Sequence, residues 1–178
     1  MARRRALPRS LADQAGHQVA LLLSLAPEYQ RCRRLVVYAE LPDELPLARV
    51  VSLAQLDGKG LLFPRTLPGS QLEWSSVDRV EDLRPGRYGV REPATDAPAE
   101  VLGPDVLVLV PGVAFDDRGG RLGRGAGAWD RALADRRGAA VFGVGFELQV
   151  IGRVPREEHD QLMDALLTEV EIRRFSGP

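Results

Sequence analysis

The chain alternates between segments whose apolar residues recur at helical spacing and short, unbroken apolar runs. Leu11, Ala15, Val19, Leu22 and Leu23 fall on one helical face. Ser10-Leu11-Ala12-Asp13 ahead of them has the form of a capping box, which predicts a helix start with Ser10 as N-cap. Leu35 to Ala39 is a run suited to a buried strand, and Leu47 to Leu56 reads as a helix with Val50, Val51 and Ala54 on one face. Leu61-Leu62-Phe63 predicts a short strand that stops at Pro64. Residues 66–104 are rich in proline, glycine and charge, with a weak strand near Leu72–Trp74. Val106–Val110 is the most apolar strand. Beyond it the pattern predicts a helix from Gly127 to Arg136, a strand at Ala139–Val144 and a short helix from Glu157 to Leu162. Leu166 to Ile172, alternating against Glu169 and Glu171, suits an edge strand.

Strands separated by helices imply parallel pairing through right-handed crossovers. The expected fold is therefore α/β, a three-layer sandwich with a mostly parallel, Rossmann-like central sheet. No internal repeat and no long linker divides residues 1–178, so one domain is expected. Ligands of such sheets bind at the carboxyl ends of the strands, which is where the loop after Val110 falls.

Composition narrows the function classes. At 44% hydrophobic the chain can bury a core, and a net charge of −1 gives no electrostatic case for nucleic acid or an acidic membrane. Lys59 is the one lysine, a bias best read as codon usage. A single cysteine, Cys32, excludes an internal disulfide framework and a cysteine-based zinc site. No apolar run approaches the roughly 18 residues of a membrane-spanning helix. Arg3-Arg4-Arg5 is followed by Pro8, Arg9 and Asp13, which does not read as a signal peptide, and a cytoplasmic location is expected.

The chemistry concentrates after the most apolar strand. Pro111-Gly112 ends it, Asp116 to Gly120 forms a turn, and Arg121-Leu122-Gly123-Arg124-Gly125-Ala126-Gly127 leads into Ala128-Trp129-Asp130-Arg131 at a helix start. Small residues between a strand and a helix N-terminus suit an anion cradle. The spacing is neither the dinucleotide fingerprint nor a P-loop. A tight left-handed turn explains the glycines equally well. Trp74 and Trp129 suit either stacking on flat rings or ordinary core packing.

The stretch from Pro111 to Arg131 closely resembles the signature of the 5-formyltetrahydrofolate cyclo-ligase (5,10-methenyltetrahydrofolate synthetase) family. Further matches occur in order: Tyr38 to Glu44, Gly58 to Arg65, Tyr88 to Pro93, Gly143 to Gln149, Val154 to Asp160, and Leu167 to Glu169. The resemblance spans Val36 to Ile172. It implies an ATP- and Mg²⁺-dependent closure of 5-formyltetrahydrofolate to 5,10-methenyltetrahydrofolate, releasing ADP and phosphate. Such a reaction needs aligned substrates and charge neutralisation more than a protein nucleophile, and the chain has no convincing Ser-His-Asp or Cys-His set.

By position in the family pattern, Arg121, Leu122, Gly123, Arg124, Gly125, Ala126, Gly127, Ala128 and Trp129 form the ATP loop. Arg124 to Ala128 also face the folate, with Glu44 as its carboxylate contact. Asp130 and Asp160 stand where the family holds Mg²⁺. The plain alternatives are solvated charge for the arginines and helix N-terminal charge for Glu44 and Asp130; Asp160 would be a surface charge. His159 and His17 read as surface or packing residues. The implied partners are a reduced folate and ATP, acting on a monomer without nucleic acid or membrane.

The sequence departs from the family in two places. The family usually carries two aromatics before the aspartate, where this chain has Ala128 and Trp129. The resemblance also implies a longer first helix bearing a lysine and arginines, of which Arg3, Arg4 and Arg5 are expected to be the remnant. A non-catalytic relative that binds folate or nucleotide as a regulator or partner is the competing reading. A third is an α/β enzyme acting on another phosphorylated ligand.

Overall fold

The computed structural model describes residues 2–175; the side chains of Ala2, Arg3 and Tyr88 lie outside the described set. A one-turn helix α1 (Ala2–Arg5) precedes α2 (Arg9–Ser24), α3 (Pro27–Arg31), β1 (Arg34–Val36), α4 (Ala48–Leu56), β2 (Gly60–Thr66) and β3 (Leu72–Ser76). Short strands β4 (Arg84–Pro85), β5 (Arg91–Glu92) and β6 (Ala99–Glu100) lead to β7 (Val106–Pro111). A small hairpin, β8 (Ala114–Phe115) and β9 (Arg121–Leu122), precedes α5 (Ala128–Leu133), β10 (Ala140–Val144), β11 (Ala165–Leu167) and β12 (Ile172–Arg174).

Eight of the strands form one sheet in the order β12-β11-β10-β7-β1-β2-β3-β6. The five from β11 to β2 are parallel, and the outer ones run antiparallel. Alternate residues of the parallel strands face opposite layers. Leu35, Val37, Leu61, Phe63, Leu107 and Leu109 pack with Val19 and Leu23 of α2 and Val50 and Ala54 of α4. Val36, Leu62, Val106, Val108 and Val110 pack with Trp74 and with Leu133 of α5. Both faces of the sheet are thus covered, as unbroken apolar strands require. The expected three-layer α/β architecture is what the chain adopts.

Several boundaries differ from the sequence reading, each for a local reason. The N-cap of α2 is Pro8, not Ser10; the Pro8 carbonyl accepts from Leu11 and Ala12 N–H, and no side-chain cap forms. β1 pairs only to Val36, because Tyr38 and Ala39 leave the ladder to line a cavity. β2 runs through Pro64 rather than stopping there. β1 has ended by that point, so β2 is locally an edge strand, and Pro64 still pairs with Trp74 on the other side. α5 begins after Gly127, whose φ of 60° is left-handed, and ends at Leu133 rather than Arg136. Glu157 to Leu162 forms a turn, not a helix: the Gln161 N–H bonds the Asp130 carboxylate instead of continuing a helical ladder. Leu166 to Ile172 is a hairpin, and β12 is the edge strand. The Thr168 hydroxyl accepts from Val170 and Glu171 N–H and so forces the reversal.

Candidate active site

The topology places the site. β1 and β7 lie side by side, but the chain leaves β1 for β2 on one flank and β7 for β10 on the other. A crevice opens at the carboxyl ends of two strands where the order reverses. Tyr38 and Ala39 after β1, and Pro111, Gly112 and Val113 at the end of β7, line a cavity of about 370 Å³ there. That volume suits a small molecule.

The glycine segment supplies one wall. Arg121, Gly123, Arg124, Ala126, Gly127, Ala128, Trp129 and Asp130 line the cavity, as does Glu44. Leu122 points to solvent, and Gly125, with φ of 95°, forms an open bend; neither is among the lining residues. Gly127 is the hinge into α5: a Cβ there would sit 3.0 Å from a guanidinium nitrogen of Arg131. Arg131 in turn donates to the carbonyls of Ala126 (2.8 Å) and Ser70 (2.9 Å), fastening the loop to the β2–β3 connection. α5 is only six residues long, so anion binding here rests on arginines and loop N–H groups more than on a helix dipole.

Two arginines behave differently. Arg121 is buried, and its Nη2 donates to Asp130 Oδ2 at 2.8 Å. Its Nε is buried without a hydrogen-bond partner, an orphaned donor at the cavity wall. Arg124 is half-exposed and reaches across to Asp43 Oδ1 (3.4 Å) and Glu44 Oε1 (3.2 Å). Glu44 Oε2 accepts from Leu41 N–H at 2.9 Å. Asp43 also binds Arg4, which is buried and donates to the Gly112 carbonyl at 3.1 Å as well. Burial pushes the Asp43 carboxyl up, but the hydrogen bond and charge of Arg4, joined by Arg124, hold it below the usual carboxylate range.

Asp130 lines the cavity and accepts from Arg121 and from Gln161 N–H (3.3 Å). Asp160 is not among the lining residues; its Oδ2 accepts from Glu157 N–H at 2.8 Å. Among the described residues no group of three or more acidic, histidine or cysteine side chains is gathered for a metal. His159 and His17 are exposed. The aromatic wall is Tyr38 edge-on to Trp129 (6.5 Å, 84°), with Trp74 behind at 5.5 Å. Trp74 is buried in the core, so Trp129 alone of the two tryptophans faces the cavity.

Comparison with known proteins decides the family. The model of the 5-formyltetrahydrofolate cyclo-ligase family matches residues 1–169. This chain belongs to that family. A probable 5-formyltetrahydrofolate cyclo-ligase of Schizosaccharomyces pombe is 29% identical over 165 residues, covering 83% of this chain and 80% of that one. The 5-formyltetrahydrofolate cyclo-ligase of Escherichia coli is 29% identical over 178 residues, 96% of each chain. Among solved structures, the 5,10-methenyltetrahydrofolate synthetase of Aquifex aeolicus superposes with a TM-score of 0.83 at 30% identity, covering 99% of this chain and 89% of that one.

Within this cyclo-ligase family chain, sequence reasoning gave no individual role to Arg4, Thr66 or Glu92. Arg4 sat unseparated in a basic run, with nothing local to say that its side chain turns inward. Thr66 and Glu92 are 26 residues apart and meet only through folding, although Glu92-Pro93 stood within a matched element. Among the described residues no helix is long and apolar enough to cross a membrane.

Proposed function

We propose that this chain catalyses the ATP- and Mg²⁺-dependent cyclisation of 5-formyltetrahydrofolate to 5,10-methenyltetrahydrofolate, with release of ADP and phosphate. One observation carries the reading: a cationic glycine loop and carboxylate-bearing, largely apolar walls converge on one crevice at the strand-order reversal. Family membership supplies the substrate class.

In this reading Arg121 to Trp129 receive the nucleotide, Arg124 to Ala128 also face the folate, and Glu44 is a carboxylate contact of the folate beside Arg124. Arg124, half-exposed at the cavity, and the buried guanidinium of Arg121 would supply donors for phosphate oxygens. The formyl oxygen attacks the γ-phosphorus and ADP departs. N10 then attacks the activated carbon and gives up its proton. The carbon–oxygen bond breaks, and phosphate leaves carrying the formyl oxygen. Catalysis is alignment and charge neutralisation, with no protein nucleophile.

Asp130 and Asp160 would hold Mg²⁺. Asp130 faces the cavity, and the Gln161 N–H bond brings the segment bearing Asp160 against it. Mg²⁺ commonly uses one or two carboxylates with phosphate oxygens and water, so a larger acidic cluster is not required. When bound, it would neutralise phosphate charge. The remaining partners are small molecules, and the working unit is read as a cytoplasmic monomer.

Isotope transfer tests the chemistry. With ¹⁸O in the formyl group, the label is expected in the released phosphate. Methenyl product formed with unlabelled phosphate would contradict the mechanism.

A further inference from the structure

Glu92 lies at the end of β5, and its carboxylate faces the same cavity from the wall shared by Thr66, Leu72 and Val90. The side chain is held in place with care. Thr66 donates its hydroxyl to Oε1 at 2.6 Å and its N–H to Oε2 at 3.2 Å. Gly86 leaves room for the carboxyl group: a Cβ at that position would come within 2.5 Å of it. Gly86 has an ordinary φ of −111°, so the close approach alone requires a residue without a side chain.

No arginine, lysine or histidine among the described residues pairs with Glu92, although it is buried. Arg87 lines the cavity without forming an ion pair to it. Glu44 is in the opposite situation, with both oxygens already engaged by Leu41 N–H and by Arg124. A buried carboxylate facing an apolar cavity without a cation is unfavourable unless a ligand brings donors to it. Two of its roughly four acceptor positions are taken by Thr66, and the others remain for such a ligand.

We propose that Glu92 is a specificity-determining residue that accepts hydrogen bonds from adjacent N–H and NH₂ donors of the substrate's heterocycle. The inference rests on the cyclo-ligase reading, under which those donors are the 2-amino and ring N–H groups of the reduced folate. Glu44 then works beside the arginines, and Glu92 reads the ring from the β2–β5 wall.

The test is Glu92→Gln, whose amide oxygen still accepts from Thr66 N–H while its NH₂ turns to the Thr66 hydroxyl, which can accept, and offers the ligand a donor in place of an acceptor. KM for 5-formyltetrahydrofolate is expected to rise tenfold or more, with KM for ATP within twofold of wild type and an unchanged urea midpoint. An unchanged folate KM, or equal rises for both substrates, overturns the proposal. If Glu92→Gln fails to fold, Gly86→Ala takes its place: its Cβ displaces the carboxylate, and the same folate-selective rise is expected. No such rise in Gly86→Ala overturns the proposal. Wild type run alongside separates the two readings, since absent turnover in wild type removes the cyclo-ligase reading itself and the Glu92 assignment with it.

Discussion

Arg121 donates to Asp130 across 2.8 Å while its own side chain is only 2% exposed. The pair joins β9 to the first turn of α5 and fixes the two ends of the glycine loop relative to each other. It also ties together one residue expected at the phosphates and one expected at the metal.

Removing one partner of that pair is predicted to destabilise the fold. Arg121→Met strands the Asp130 charge, and loss of one member of a buried pair typically costs about 3–5 kcal/mol. The double variant Arg121→Met/Asp130→Leu is expected to recover much of this. Urea unfolding measures both. A double variant as unstable as the single one would show that packing, not charge, holds the loop.

Asp116 is predicted to set acid stability. Burial pushes its carboxyl up, but N–H donors from Val154, Gly120 and Arg118 outweigh this and lower its pKa. A folded-state pKa below the unfolded value of about 3.9 adds stability that is fully present above that value. The contribution is lost as pH falls through the folded pKa. Urea midpoints for wild type should therefore drop more steeply below about pH 4 than those of Asp116→Asn. Parallel curves would remove Asp116 from the account.

Arg124 is predicted to act on nucleotide binding more than on folding. It is half-exposed, and its partners Asp43 and Glu44 keep other hydrogen bonds. A charged hydrogen bond contributes about 1.5–3 kcal/mol, so Arg124→Ala should raise KM for ATP by about ten- to hundredfold. Its urea midpoint should stay close to wild type. Unchanged steady-state kinetics would return Arg124 to solvated surface charge.

Trp129 offers an optical readout, since it faces the cavity and Trp74 does not. Titration with reduced folate is expected to change the emission of wild type and of Trp74→Phe. Trp129→Phe should respond weakly. A full response in Trp129→Phe would place the ligand elsewhere.

The sheet was legible because Leu35–Val37 and Val106–Val110 are apolar without interruption, which only a strand covered on both faces allows. The reach of β2 through Pro64 was not, since it depends on where the neighbouring β1 ends. The helix expected at Glu157 to Leu162 failed for the same kind of reason: a distant carboxylate, Asp130, takes the N–H that its ladder would use. Within the site, the glycine loop and Glu44 were legible because each sits in a contiguous motif. The clamp of Thr66 on Glu92 and the inward turn of Arg4 were not, because their partners lie 26 and 39 residues away.

The central claim is ATP-driven ring closure, and the most direct measurement follows methenyl absorbance on mixing the protein with 5-formyltetrahydrofolate, ATP and Mg²⁺. Product is expected only with all three present, one ADP per methenyl formed, with the rate falling at least about a hundredfold in Asp130→Asn. Folded wild-type protein that forms no methenyl product, or forms it equally well without ATP, would contradict the account.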